Sequence, residues 1–146
     1  MIAGLFERLL NAAAEPTAPA DARLAMAALM VRLARSDGTY SGDERRQIER
    51  FLITHYDIDA KTVAEIVADA EEQERTAPDT VRFTRIVKDA VPYEERTDVV
   101  EALWRVAILE GIDANERSFL RLVSNLLGVS DQDSALARQR AERGDD

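Results

Sequence analysis

Apolar residues recur along this chain at intervals of three and four, and no segment sustains the period-two alternation of a half-buried strand. Ile2, Leu5, Phe6, Leu9 and Leu10 fall on one side of an amphipathic helix expected over 1–15. Pro16 and Pro19 interrupt the pattern, so 16–20 reads as a linker into a core spanning 21–140. The helix expected over 20–36 is apolar on nearly every side, from Ala22 to Leu33, and such a helix belongs at the centre of a fold. Gly38 offers a left-handed stop after it. Ile48, Phe51 and Leu52, with His55 at the margin, form the stripe of a helix over 41–56. Asp59 caps a helix over 60–74 whose inner side is Val63, Ile66, Val67 and Ala70.

Past the Ala77-Pro78-Asp79 break, Val81, Phe83, Ile86, Val87 and Ala90 predict a helix ending near Val91. Pro92 suits the first turn of the next, over 93–110, which is the second strongly apolar helix and carries Trp104 on its inner stripe. Asp113 opens another, with Phe119, Leu120, Leu122, Val123, Leu126 and Leu127 inward; Gly128 ends it, and Ser130 opens a last helix towards Arg140. The pattern predicts an all-α fold: a single domain over 1–146, a compact helical bundle of about seven to eight helices.

Length and composition sharpen this picture. A chain of 146 residues with 46% hydrophobic residues can bury a core without staples. With no cysteine, neither disulfides nor thiol chemistry enter, and a cytoplasmic location is expected. No apolar run reaches the roughly 20 residues of a membrane span, and the Met1–Glu7 start lacks the basic leading segment of a signal peptide. A net charge of −9 without a basic cluster in sequence argues against nucleic-acid binding. Three partner classes stay open: an unidentified protein, a membrane surface reached peripherally through a complex, and a second copy of the chain.

The two apolar helices hand over to similar corners. One runs Asp37-Gly38-Thr39-Tyr40-Ser41-Gly42-Asp43-Glu44-Arg45, the other Glu110-Gly111-Ile112-Asp113-Ala114-Asn115-Glu116-Arg117. Ile48 and Phe51 then correspond to Leu120 and Val123, so the chain reads as two diverged, pseudo-symmetric halves.

This arrangement resembles the TerB-like family. The resemblance rests on Ala34-Arg35-Ser36-Asp37-Gly38 with Glu44, and on Glu101-Ala102-Leu103-Trp104, Glu110-Gly111, Asp113, Glu116 and Leu126-Leu127-Gly128-Val129-Ser130. It covers roughly 20–135. The family includes the N-terminal region of the membrane-anchored DnaJ-type co-chaperones called DjlA. It implies a role in tellurite and general stress resistance, with metal ions or membrane-associated complexes. Members usually carry Ala-Asp-Gly in the second half, where this chain has Leu109-Glu110-Gly111 and a shorter loop.

Two chemistries compete for the acidic corners. Asp37, Asp43, Glu44, Glu110, Asp113 and Glu116 supply oxygen ligands suited to a hard divalent cation such as Ca²⁺ or Mg²⁺ as a cofactor. The same residues read as capping boxes, Ser41 with Glu44 and Asp113 with Glu116, and neither loop follows the EF-hand order. His55, the only histidine, has no serine in a nucleophile-elbow context, and Glu71, Glu72 and Glu74 read as a solvated charge run. The expectation is a non-enzymatic stress-response interaction module. The alternative is a divalent-cation-binding protein, and carboxylate acid–base catalysis ranks behind both.

Overall fold

Seven α-helices, and no strand, occur among the described residues, which in this computed structural model are 19–36, 38–76, 79–109 and 111–144. In chain order they are α1 (Pro19–Arg35), α2 (Gly42–Tyr56), α3 (Ala60–Thr76), α4 (Thr80–Ala90), α5 (Tyr93–Ile108), α6 (Ala114–Leu126) and α7 (Asp131–Arg143). The helix expected over 1–15 lies outside the described residues. α1 already starts at Pro19, inside the stretch read as a linker; proline's fixed φ and missing N–H suit a first helical turn.

Packing follows from the missing polar face of α1. Every residue from Ala25 to Val31 is buried, as are Leu33 and Ala34, and the helix lies against α2, α3, α4, α5 and α6. Its alanines let those neighbours come close. α5, the second apolar helix, contacts α1 and buries Val99, Val100, Leu103, Trp104 and Val106. The two strongly apolar stretches, 22–35 and 98–109, therefore meet inside the fold. Each fully buried Leu, Met or Val in this contact is worth about 1.5–3 kcal/mol. The outer helices recur in pairs: α2 and α3 pack on α1 and on each other, as α6 and α7 do with α5.

Local chemistry sets the helix ends. The carboxylate of Asp59 accepts from the Thr62 amide (2.7 Å) and that of Asp79 from the Arg82 amide (3.0 Å). The Ser130 hydroxyl accepts from the Asp133 amide (3.1 Å). Pro92 sits just outside α5, at its N-cap, without a side-chain hydrogen bond. Its carbonyl accepts from the Arg96 amide (3.0 Å), starting the helix from the backbone alone.

Candidate functional site

The two acidic corners are built alike. After α1 the chain turns at Gly38 (φ +88°), whose amide donates to the Arg35 carbonyl. After α5 it turns at Gly111 (φ +84°), whose amide donates to the Ile108 carbonyl. Both values lie in the left-handed region, where a Cβ costs roughly 1–2 kcal/mol. Each corner then enters a helix through a complete capping box. The Ser41 hydroxyl accepts from the Glu44 amide (3.1 Å), and the Ser41 amide donates to Glu44 Oε1 (2.9 Å). Asp113 accepts from the Glu116 amide (2.8 Å), and its own amide donates to Glu116 Oε1 (3.1 Å).

Of the six acids singled out from the sequence, Glu44 and Glu116 are buried, each 1% exposed, and fold back onto their own helix starts. Asp43 is exposed and pairs with Arg46 one turn on, and Asp113 is an exposed cap. Asp37 and Glu110 lie outside the described residues. No three His, Asp or Glu side chains among the described residues are grouped to hold a metal ion.

The first corner is tied to α3 by groups that the sequence pattern had assigned to solvent. Glu74 is buried rather than solvated. Its carboxylate takes a 2.7 Å hydrogen bond from Arg35 and stands 3.6 Å from Arg32, joining α3 to α1. Glu71 accepts from the Tyr40 hydroxyl (2.7 Å) and faces Arg45 at 3.6 Å, while its carbonyl accepts from Arg35 (3.2 Å). Burial, then the hydrogen bond to Glu71 and that residue's negative charge, push the Tyr40 hydroxyl well above its ordinary pKa. Glu72 alone of the run behaves as expected, pairing with Arg75 in solvent. A signal for Glu74 did exist: Val63, Val67, Ala70 and Glu74 fall on one helical stripe, so Glu74 continues the core side of α3.

The second corner is tied differently. Glu101 of α5 holds Arg105 (3.0 Å) and Arg140 of α7 (2.6 Å). Trp104, expected in the core, is buried there. Its indole N–H donates to the Ser134 hydroxyl (3.2 Å), and Arg138 stacks over the ring. His55 stacks on Phe51 (5.0 Å between ring centroids) and meets Tyr56 edge-on. These contacts give the imidazole a packing role beside α2's end.

Glu44, Asp113 and Glu116 thus serve as capping groups, and two ion-pair clusters lock outer helices onto the two apolar ones. No helix among the described residues is long and apolar enough to cross a membrane. No curated protein and no solved structure matches the chain. The family model described as tellurite resistance protein TerB matches residues 23–139, from within the apolar α1 to within α7. An all-α fold organised by α1 and α5, matched over most of its length by that one model, belongs to the tellurite-resistance TerB family.

Proposed function

We propose that this chain is a non-enzymatic interaction module of a stress-response system of the tellurite-resistance type, acting in the cytoplasm. The observation that carries this reading is the use of Glu44 and Glu116, the acids best placed for chemistry, as buried capping groups. A general acid or base must reach a substrate proton. Carboxylates committed to their own helix starts instead serve a rigid scaffold. Exposed Ile53, Val81, Leu109, Leu122 and Leu136 supply apolar contact points on that scaffold. The test is crosslinking of the full chain in its native cells during tellurite stress, followed by affinity capture. A specific partner, recovered in proportion to the stress, is expected. Recovery of no specific partner counts against the module.

A second reading, divalent-cation binding at the acidic corners, is favoured by one observation. Two carboxylates are held dry, next to left-handed glycine turns, in corresponding places. Calorimetric titration of wild type and Asp37→Ala with Ca²⁺, Mg²⁺ and Zn²⁺ tests it. Binding heat and a raised melting temperature in wild type only would support it, whereas no heat from any ion would end it.

A further inference from the structure

Positive charge gathers on two neighbouring helices of an otherwise acidic protein. α4 exposes Arg82, Arg85 and Lys88, and α6 exposes Arg117 and Arg121. The acids within these helices are Asp89 and the buried Glu116, whereas the whole chain carries −9. None of the five cations forms an ion pair with any described residue, although Arg35, Arg75, Arg105 and Arg140 elsewhere all hold carboxylates. Cations with no carboxylate partner among the described residues repel one another, so this concentration is a cost that folding alone does not explain.

The geometry makes one surface of them. α4 and α6 touch each other and both rest on α1, so their solvent sides point away from the same central helix. At the end of α6, the Lys88 side chain of α4 lies 3.9 Å from where a Cβ on Gly128 would stand. The Arg96 guanidinium lies 3.4 Å from that point and donates to the Leu127 carbonyl (2.6 Å). Two apolar side chains share the surface: Val81 is 50% exposed, and Leu122, expected inward from the sequence, is 48% exposed.

We propose that the solvent face of α4 and α6 docks an acidic segment of a partner protein, its carboxylates meeting these five cations and its apolar side chains meeting Val81 and Leu122. This rests on the interaction-module reading and names the chemistry of the partner. A second copy of the chain fits poorly, because a two-fold contact through this face would set cations against cations. An anionic bilayer fits less well than a protein segment, because the remaining surface carries all the excess negative charge.

Fluorescence anisotropy on the full chain tests the face. The probe is a labelled amphipathic peptide with a glutamate polar face, and the control peptide has lysine in place of glutamate. The glutamate peptide is expected to bind at least about tenfold more tightly, and its binding to weaken severalfold as salt rises from about 50 to about 300 mM. The charge reversals R85E, K88E and R121E together are expected to abolish that preference at an unchanged melting temperature. R50E with K61E, exposed cations on α2 and α3, should leave it within about twofold. Equal binding of both peptides, retention by the triple variant, or preference for vesicles containing phosphatidylglycerol over the peptide would each overturn the proposal. Cellular crosslinking separates the two readings. A partner captured equally by wild type and triple variant overturns this face and leaves the module intact. Peptide binding lost in the triple variant, with no cellular partner for either chain, supports the face and counts against the module.

Discussion

Replacing Glu74 tests whether the buried clamp between α1 and α3 contributes to stability. Its side chain is 5% exposed, Arg35 is 31% exposed, and their contact is 2.7 Å. A fully buried pair would lose about 3–5 kcal/mol on truncation, and an exposed one about 0–1. Arg35 can turn to water once its partner is gone, so only the Glu74 end is dry. The coupling between them should therefore fall between those limits, at about 1–2 kcal/mol. A double-mutant cycle of Glu74→Gln, Arg35→Ala and the combined variant isolates it, because glutamine keeps the volume and removes the charge. Urea unfolding followed by circular dichroism gives the energies. The single Glu74→Gln change, at about 1–2 kcal/mol, should lower the melting temperature by roughly 2–8 °C at this chain length. Because one partner is buried, most of the coupling should survive at about 0.5 M salt. A coupling under about 0.3 kcal/mol, or one erased by salt, would show that the clamp behaves as an ordinary surface pair.

Three further outcomes follow from particular contacts. Ser41→Ala should cost about 1 kcal/mol in the same urea assay, while Glu44→Gln should cost less, because glutamine can still accept from the Ser41 amide. Burial pushes the Tyr56 hydroxyl up to about 12, against a lowering by Arg23 and with a small raise from Glu95. The folded state thus keeps this proton where the unfolded chain releases it near 10.0. That contribution is complete below pH 10, declines as pH rises towards 12, and should vanish in Tyr56→Phe, read from tyrosinate absorbance and melting temperature. Leu103→Ala, at the fully buried centre of α5, should cost about 2–5 kcal/mol in equilibrium unfolding, and a cost below about 1 would mean the site is not packed as described.

Local pattern alone determined much of this protein. A helix with no polar face can only be covered on all sides, so the centrality of α1 was legible in Ala22–Leu33 before any contact was known. Capping chemistry is equally local. Ser41 with Glu44 and Asp113 with Glu116 act within one turn, so spacing predicts their hydrogen bonds. The family was legible for the same reason, since its marks are helix ends and stripes rather than distant pairings.

Tertiary structure decided the partners across helices. Glu74 and Glu72 are two residues apart in the same acidic run, yet Glu74 faces Arg35 in the interior and Glu72 faces solvent. That difference depends on how α3 is rotated against α1. Likewise, Arg82, Arg85 and Lys88 are separated by a whole helix from Arg117 and Arg121, so no window of sequence shows a basic cluster. Only the packing of α4 beside α6 on the same central helix joins those charges into one surface, because electrostatic neighbours are set by distance in space and not along the chain.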